Sequence, residues 1–423
     1  MARAALRENA LGGFYSAEDA DSEGKEGKFY CWTREELSKL LTPDEFKVAV
    51  RYFGVTEKGN FVDHSDPNPL PHQNVLSIVN PLPLLHSPEK PLTRPSGALS
   101  PSDGERGSHE NLSKDSALLT SAKKKMFEAR SKRVRPHLDD KVLSSWNGLM
   151  LGALARAYSV LGDESYRYAA EKNLAFIQAK LWQPPQGSAA LSAASEASRR
   201  DARATLFHRW RDGERDSVQL LDAYAFLLAG VIDLYEATLD PQHLEFAVVL
   251  ADTMLTKLYD AQNGGFWQAA PDSPDLILRV KEDYDGAEPS GNSVAILALL
   301  KLSAITDRKD FKVAAEKSLR LFSNKLHELP QAVPYLLLAL DYWLEEPKRA
   351  VIVGDPNAAD TRALIHAAHS VYQPNKVVLG NTGPVEPLAR TLPTKDAPVV
   401  FLCTGTACQP PTQDPAKIRE LLK

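Results

Sequence analysis

Hydrophobic positions in the early part of the chain recur with the spacing of one helical face, and polar residues mark where each helix begins. Thr33 and Glu36 form the pattern of a capping box, which predicts a helix starting just after Thr33. A second helix is predicted from Pro43, a residue type favoured at the first helical position, to Gly54, a residue type favoured just past the end.

Residues 80–116 break this periodicity with proline, serine and charged residues. Their composition predicts a surface loop or a partly disordered insertion. The basic run that follows, residues 121–136, returns to helical spacing. Its lysines and arginines are typical of a solvated helical face, and we prefer that interpretation to a phosphate-binding one.

From residue 140 onward the hydrophobic pattern repeats about every 65 to 80 residues. Each copy ends one helix, turns at an aspartate and starts another helix, with an apolar residue and then an alanine on one face. The copies span 155–177, 232–254 and 300–322, and their turns fall at Asp163, Asp240 and Asp307. A unit of this length predicts a helical hairpin plus a connecting loop.

Two connectors between these helices start with Gly-Gly-Phe: "GGFYSAEDADSEGKEGKFYCW" at 12–32 and "GGFWQAAPDSPDLILRV" at 264–280. Each predicts two short strands joined by a polar turn. Residues 205–215 predict the return strand of another connector, with an insertion at 183–204. Helical hairpins whose connectors meet at one mouth form an (α/α) toroid, so we expect a mainly α fold over residues 1–345.

The pattern changes after residue 345. Short β-branched runs at 349–355 and 375–380 flank a helical run, and a further strand and helix follow them. Residues 346–423 are therefore predicted to form a small C-terminal α/β segment.

Composition narrows the class of protein. The 423 residues carry a net charge of −5, so nothing in the overall charge favours nucleic acid as a partner. The start lacks an apolar signal core and no run is long enough to span a bilayer, which predicts a cytoplasmic protein without a membrane partner. The three cysteines are too few for a disulfide scaffold and suit a reducing compartment. Cys403 and Cys408 are interpreted as a structural pair rather than a catalytic one.

The first connector carries an acidic tip. Asp19, Asp21 and Glu23 alternate before Gly24, which fits the start of a calcium loop. Such a loop needs a glutamate at its twelfth position, where this chain has Tyr30, so we predict neither a metal nor a cofactor. We instead expect the two aspartates to face a ligand at the mouth of the toroid.

A second candidate motif is "RPHLDDKVLSSWNGLM" at 135–150. Asp139 and Asp140 are predicted to open a helix, where carboxylates favour the dipole, and they are candidate catalytic acids. Trp146 and Asn147 follow within two turns. An indole face beside an amide suits a sugar, and the alternative is a core tryptophan beside a structural amide.

A third motif is "RVKEDYDGAEPSGNS" at 279–293. Ser290 is a predicted N-cap, and Asp283 and Asp285 precede the helix. These two carboxylates are candidates for an acid and base pair with the aspartates of the second motif across one cleft. The alternative is turn chemistry and compensation of the helix dipole. Arg279 is a candidate salt partner of this acidic run.

The three motifs are expected to converge on one cleft, because connectors and inner-helix starts meet at the same rim of a toroid. Carboxylates gathered there repel one another, and we expect a raised pKa for at least one of them. The candidate catalytic residues are Asp139, Asp140, Asp283 and Asp285. The candidate ligand-binding residues are Asp19, Asp21, His137, Trp146, Asn147, Tyr224, Arg279, Glu288 and Asn292.

In this order the three motifs resemble one family, the spermatogenesis-associated, thioredoxin-domain proteins and their bacterial homologues. The resemblance covers nearly the whole chain. It implies a helical toroid similar to six-hairpin glycosidases and to epimerases of N-acylglucosamine, which in the family follows a thioredoxin-like domain. The family's biochemical activity is not established, and its animal members are linked to sperm development. Against that pattern the chain begins inside the toroid and lacks the thioredoxin-like domain, so we expect either a truncated sequence or an incomplete ring.

One position departs from the family's pattern. The family places an acidic residue directly before the tyrosine of "DYAF", whereas Ala223 precedes Tyr224 here. Whether Asp222 substitutes for that acidic residue is left open.

Two functional hypotheses follow. The first is an enzyme, or a degenerate enzyme, that uses acid/base chemistry of glycosidase or epimerase type on a carbohydrate or another small polar ligand. The second is a non-catalytic toroid that binds a ligand or partner beside a redox domain supplied elsewhere. The sequence does not indicate an oligomeric state.

Overall fold

The computed structural model describes residues 8–82, 103–184, 204–271, 273, 276–393, 397–405 and 407–423. The chain divides into two compact units. One unit runs up to Ser16 and resumes at Asp140, and the other comprises Ala17–Asp139.

The described residues of the unit Ala17–Asp139 form three helices and four short strands. The helices are α1 (Arg34–Leu40), α2 (Pro43–Phe53) and α3 (Asp103–Arg130). Strand β1 (Ala17–Glu18) pairs antiparallel with β4 (Leu138–Asp139), and β2 (Asp21–Ser22) pairs antiparallel with β3 (Lys25–Glu26).

Local signals at the starts of α1 and α2 are confirmed. Thr33 and Glu36 form a complete capping box, and Thr42 forms another with Glu45. Gly54 ends α2 in the left-handed region at a φ of 65°. A side chain is strained in that conformation, which explains the glycine. These helix boundaries therefore follow from local sequence.

Two expectations in this unit need correction. Part of the predicted loop, residues 103–116, is the first half of α3, and residues 83–102 lie outside the described part of the chain. The two aromatic runs of the first connector do not pair with each other. Only the short β2–β3 tip is a hairpin, because β1 takes β4 as its partner instead.

Six helices of the other unit form three successive hairpins. They are α4 (Ser144–Leu161) with α5 (Glu164–Lys180), α6 (Leu221–Thr238) with α7 (Pro241–Leu258), and α8 (Gly291–Thr306) with α9 (Lys309–Leu321). The aspartates of the repeat mark the turns as predicted. Asp163 and Asp240 cap the second helices, and Asp307 ends α8 in a left-handed conformation with a φ of 62°.

The first helix of each hairpin packs against the first helix of the next. Helix α6 lies against α4 and α8, while α5, α7 and α9 each pack on the partner in their own hairpin. After α10 (Ser323–Glu328) and a 3₁₀ turn (Pro330–Ala332), α11 (Pro334–Leu344) continues the inner row beside α8. The predicted fold class, mainly helical hairpins of the (α/α) toroid type, is confirmed.

Short strands form part of the connectors that lead into α4 and α6, whereas the described residues of the connector at 264–280 contain none, although two were predicted there. Strands β5 (Val142–Leu143), β8 (Arg209–Arg211) and β9 (Glu214–Arg215) form an antiparallel sheet in the order β5-β8-β9. Strand β6 (Trp182–Gln183) pairs antiparallel with β7 (Thr205–Leu206). These strands lie at the N-terminal ends of α4 and α6 and position the first turns of both helices.

The two Gly-Gly-Phe connectors are held by the same arrangement of hydrogen bonds. The side chain of Asn147 accepts the Phe14 N–H at 2.8 Å and donates to the Phe14 carbonyl at 3.0 Å. The side chain of Asn292 accepts the Phe266 N–H at 2.7 Å and donates to the Phe266 carbonyl at 3.0 Å. The equivalence of these connectors, inferred from their sequences, is thereby visible atom by atom.

The first glycine of each connector is required by a close approach. Gly12 and Gly264 have φ values of 108° and 80°. A Cβ on either would lie 2.6 Å from the Lys172 carbonyl oxygen or 2.7 Å from the Lys317 carbonyl oxygen. Both lysines lie on second helices of their hairpins, α5 and α9. The glycines therefore let each connector cross close to a helix backbone.

The C-terminal segment is an α/β layer. Its sheet has the order β11-β10-β12-β13, built from β10 (Lys348–Val353), β11 (Lys376–Leu379), β12 (Val399–Thr404) and β13 (Ala407–Cys408). Strand β11 is parallel to β10, and β12 is antiparallel to it. The helices are α12 (Ala359–His369), α13 (Pro387–Thr391) and α14 (Pro415–Leu422). Helix α11 ends at Leu344 and β10 begins at Lys348, and the predicted domain boundary at residue 345 stays a prediction.

The α/β segment shares a core with the helical hairpins. Glu236 near the end of α6 accepts the Val378 N–H at 2.9 Å and pairs with Lys301 at 3.2 Å. The hydroxyl of Tyr235 accepts the Gly380 N–H at 3.1 Å. Side chains of the inner helix α6 therefore accept backbone N–H groups along β11 and just after it. Within the described ranges, none of the helices has both the length and the apolar character that a membrane span needs.

The hydrogen bonds from Asn147 and Asn292 to the backbones of Phe14 and Phe266 predict that removing either side chain lowers stability. Asn147→Ala and Asn292→Ala should each lower the free energy of unfolding by about 2–4 kcal/mol, because each leaves two buried backbone groups of a phenylalanine without partners. Chemical denaturation followed by circular dichroism measures the loss. The control is Asn324→Ala at an exposed position of α10. If neither variant loses more unfolding free energy than the control, the asparagine hydrogen bonds do not hold the connectors.

Candidate functional site

A cavity of about 510 Å³ opens at the N-terminal ends of three inner helices. Trp146 comes from the first turn of α4, Asp222 from the first turn of α6, and Ser290 is the N-cap of α8. The segment before α8 supplies the rest of the wall. Its lining residues are Glu282, Tyr284, Gly286, Ala287, Glu288 and Pro289.

Two aromatic side chains face this cavity. The Trp146 side chain is 44% exposed, and its indole N–H donates to the Glu288 carboxylate at 3.1 Å. Tyr284 is 58% exposed. Large exposed rings at a concave site are available for stacking. The indole hydrogen bond also fixes the direction in which the Glu288 carboxylate points.

Asp222 is the carboxylate that the fold perturbs most clearly here. Burial raises its pKa to about 6, and the charges of Glu288 and Glu282 add to the rise. Two hydrogen bonds oppose it: one from Gln268 at 2.6 Å and one from the backbone N–H of Gly291. Burial outweighs them, so Asp222 holds its proton well above the usual pH range of an aspartate.

Gly291 makes room for this carboxylate. A Cβ at Gly291 would lie 2.4 Å from Asp222 Oδ1 and 2.8 Å from Leu221 Cγ. The equivalent position of α4, in the series Ser-X-Asn, carries Trp146. At this position α4 therefore places the Trp146 ring in the wall of the cavity, whereas α8 has Gly291 and leaves space for the Asp222 carboxylate.

The predicted catalytic residue Asp285 is engaged by backbone. Its carboxylate accepts the N–H groups of Ser290 at 2.9 Å, Tyr335 at 2.8 Å and Leu336 at 3.3 Å. It thus ties the start of α8 to the start of α11, and backbone N–H groups engage both of its carboxylate oxygens. Asp283 forms an ion pair with Lys325 at 3.1 Å instead of meeting Arg279.

Asp139 and Asp140 do not open a helix, which corrects the sequence prediction. Asp139 lies in β4 opposite Ala17, and α4 begins only at Ser144. Asp140 forms an ion pair with Arg211 of β8 at 2.7 Å. The residues before α4 are extended because they pair with distant strands. Local sequence could not show those partners.

Asn147, Tyr224 and Asn292, three predicted ligand-binding residues, are buried instead of lining the cavity. Their exposed fractions are 1%, 0% and 1%. The Tyr224 hydroxyl accepts the Leu206 N–H at 2.9 Å, as the two asparagines hold their own connectors. All three occupy equivalent positions in the first turns of inner helices. Their polar atoms serve the fold.

Arg279 does not act as the salt partner predicted for the acidic run. Its guanidinium stacks 4.8 Å from the centre of the Trp267 ring and donates to the Ala269 carbonyl at 3.2 Å. Desolvation lowers its pKa. Arg279 therefore stiffens the connector before α8 and is not among the residues that line the cavity.

Asp19, Asp21 and His137 lie in the unit Ala17–Asp139 and are exposed. The Asp19 N–H donates to the His137 carbonyl at 2.9 Å, and its carboxylate accepts the Asp21 N–H at 3.2 Å. The acidic tip and the histidine thus meet within one unit. Their convergence with the cavity stays a prediction.

Glu282 and Tyr284 line the cavity but escaped the sequence analysis as site candidates, and Asp222 was raised there only as a substitute for the family's acidic residue. A signal for Asp222 was present, because it lies in the first turn of an inner helix opposite a glycine of the next repeat. Its partners come from segments about 50 residues and more away, so burial could not be read locally. Among the described residues, no group of three or more histidine, cysteine, aspartate or glutamate side chains is arranged to hold a metal ion.

The fold and this cavity define a class: a helical-hairpin protein of (α/α) toroid type whose inner helices open onto an acidic cleft with exposed aromatic rings. No family model matches the chain. The chain is 34% identical over 444 residues to human spermatogenesis-associated protein 20, covering 97% of this chain and 52% of that protein. It is 33% identical to the rat protein of the same name, with the same two coverages. A Caenorhabditis elegans uncharacterized protein is 30% identical over 97% of this chain and 54% of its own length.

The resemblance found in the motifs is therefore confirmed: the chain is homologous to spermatogenesis-associated protein 20 over nearly its whole length. The chain spans about half the length of the curated relatives it matches.

Solved structures give a coarser likeness. A cellobiose 2-epimerase from Bacillus thermoamylovorans aligns with a TM-score of 0.34 at 14% identity, covering 44% of this chain and 45% of the enzyme. A glycoside hydrolase family 76 mannosidase from Bacteroides thetaiotaomicron aligns with a TM-score of 0.33 at 15% identity, covering 45% of each chain. Similarity at this level carries no argument about activity.

The raised pKa of Asp222 predicts how stability depends on pH. The folded state favours the protonated carboxyl, so this contribution is complete below about pH 4 and is lost as the pH rises through about 6. Asp222→Asn should therefore gain about 2 kcal/mol of unfolding free energy relative to wild type between pH 4.5 and pH 7.5. Denaturant unfolding across that range measures the gain. Asp212→Asn, at a side chain 80% exposed, is the matched control. Equal pH dependence in Asp222→Asn and wild type would contradict a raised pKa.

Proposed function

We propose that the cavity binds a carbohydrate that is neutral or carries an amino group, and that Asp222 exchanges a proton with it. The observation that carries the proposal is the burial of Asp222 in a cavity beside an exposed indole, and this burial raises the pKa of its carboxyl to about 6. A carboxyl of that kind suits general acid chemistry near neutral pH.

The aromatic rings support a sugar as the ligand. Trp146 and Tyr284 expose ring faces on which the C–H groups of a pyranose can stack. The carboxylates of Glu282 and Glu288 are acceptors for sugar hydroxyls. Stacking surfaces beside acceptors at one concave site are the two requirements of carbohydrate binding.

The charge of the cavity supports a neutral or amino sugar over an acidic one. Asp222, Glu282 and Glu288 line it, and its described lining includes no lysine, arginine or histidine. A uronate or a phosphorylated sugar would meet like charge there, which is unfavourable at short distance. A protonated amine would be attracted, both by the carboxylates and by the aromatic faces.

Acid/base work would divide between two carboxylates. Asp222 retains a proton that it can donate to a bound oxygen, and Glu288, aimed by the Trp146 indole N–H, is placed to accept one. We do not assign this role to Asp283 and Asp285, because their carboxylates already bind Lys325 and backbone N–H groups. Because two of the four candidate catalytic aspartates are engaged by other groups of the protein, a second candidate function is binding of the ligand without turnover.

Calorimetric titration tests the proposal with four sets of oligosaccharides: neutral glucans, neutral mannans, chitosan oligomers and oligouronates. We expect binding of neutral or amino oligomers and none of the uronates. Trp146→Ala should weaken that binding about tenfold, because a stacking surface is lost. Tyr372→Ala, at a side chain 90% exposed in the α/β segment, is the aromatic control. Absence of binding to every set, or equal binding by Trp146→Ala, would refute the proposal.

Turnover is measured on the ligands that bind, by release of reducing ends and by NMR detection of epimers. With catalysis, the rate should fall as the pH rises above about 6, where Asp222 loses its proton. Asp222→Asn should then abolish turnover while retaining binding. Binding without any turnover would select the non-catalytic function.

A further inference from the structure

A disulfide joins Cys403 and Cys408 at the edge of the C-terminal sheet. The two residues lie directly opposite each other in the antiparallel β12–β13 pair, with Thr404 opposite Ala407. Strand β13 is the last strand of the sheet and pairs only with β12 among the described strands. The bond therefore closes a short turn between strands that are already hydrogen-bonded.

A disulfide in this place constrains the unfolded chain less than one that closes a long loop. Its entropic stabilisation grows with the length of the loop it closes, and this loop is only five positions long. The neighbouring backbone does not need the bond to stay in place. The Gln409 N–H donates to the Leu402 carbonyl at 2.8 Å, and Val400 and Thr412 exchange two further hydrogen bonds. A purely structural staple is thus a weak explanation for this cysteine pair.

The two cysteines differ sharply in access. Cys403 is 1% exposed and belongs to the main hydrophobic core, whereas Cys408 is an exposed residue. An incoming thiolate can approach Cys408 and not Cys403. Such asymmetry defines which sulfur is attacked and which one leaves in thiol–disulfide exchange.

An arginine lies opposite the cysteine whose sulfur would leave. Arg349 is directly opposite Cys403 in the β10–β12 pair, so both side chains lie on the same face of the sheet. Its side chain is 15% exposed, donates to the Gly405 carbonyl and pairs with Glu386 at 3.0 Å. Glu346 also approaches this turn, since a Cβ at Gly405 would lie 3.1 Å from its carboxylate. A nearby guanidinium favours the thiolate form of a cysteine.

We infer that Cys403–Cys408 is a redox-active pair that exchanges with external thiols, a role beyond the structural one indicated by its spacing. A thiolate attacks the Cys408 sulfur, forming a mixed disulfide as the Cys403–Cys408 bond breaks. Cys403 leaves as a thiolate and takes a proton from solvent. A second thiol then attacks the mixed disulfide and releases Cys408. The protein gains two electrons and two protons, and the two external thiols become a disulfide.

The composition of the chain agrees with this assignment. Only one further cysteine, the buried Cys31, is present besides this pair. A chain with so few cysteines is not built on a disulfide framework, and an exposed bond in a cysteine-poor chain is typical of exchangeable disulfides. The inference does not depend on the carbohydrate proposal, because the disulfide is not among the residues lining that cavity.

Glutathione redox buffers test it on the full chain under native conditions. Free thiols are trapped by maleimide and counted by intact mass, and adducts are mapped by peptide mass spectrometry. We expect two thiols to appear together as the buffer becomes reducing and to disappear on reoxidation, with an unchanged circular dichroism spectrum. Before full reduction, the glutathione adduct should map to Cys408.

Two variants sharpen the result. Cys31→Ser removes the background thiol and should leave the two-electron transition in place. Cys408→Ser leaves Cys403 unpaired and should abolish the transition. A pair that stays oxidised until denaturant is added, a reduction that unfolds the chain, or an adduct on Cys403 would each overturn the inference.

Discussion

An asparagine side chain that holds both polar groups of one buried backbone residue is the interaction on which the rest of this structure depends. Asn147 does this for Phe14 and Asn292 does it for Phe266, and Tyr224 holds Leu206 with its hydroxyl from the equivalent position. A connector that crosses a helix end buries N–H and C=O groups far from water, and each must find a partner. Because the partner lies in the first turn of an inner helix, the connector and the helix start are fixed together.

That constraint determines where the acidic groups lie. The first turns of α4 and α6 and the segment before α8 form one cavity, and Asp222, Glu282 and Glu288 are brought together there. Burial opposes ionisation of Asp222, the charges of the two glutamates add to this effect, and the carboxyl therefore keeps its proton to a higher pH. Gly291 is part of the same arrangement, because a Cβ there would collide with Asp222. The Asp285 carboxylate instead accepts three backbone N–H groups and thereby joins the starts of two helices.

The sequence was informative wherever the cause was local or repeated. The capping boxes at Thr33 and Thr42 and the N-cap at Ser290 follow from residues within one turn, and the hairpin repeat follows from periodicity. Asn147 and Asn292 were found in the motifs at 135–150 and 279–293, but a motif does not show what an amide bonds to. Of the two interpretations left open for Asn147, the structural amide is the one observed. Asp139 and Asp140 were misplaced because β4 and β5 depend on strand partners far away in the chain. The pKa of Asp222 is raised by burial and by two distant glutamates, against a hydrogen bond from Gln268, and no local pattern contains these neighbours.

The central claim is that the cavity beside Asp222 is where this chain meets its ligand. Carbon-13 NMR titration of the Asp222 carboxyl, assigned by its loss in Asp222→Asn, tests that claim most directly when it is repeated with a neutral or amino oligosaccharide. The account predicts a pKa near 6 in the free protein and a change in that pKa, with a shift of the carboxyl resonance, when the sugar is present. An ordinary aspartate pKa that is indifferent to every sugar tested would contradict it.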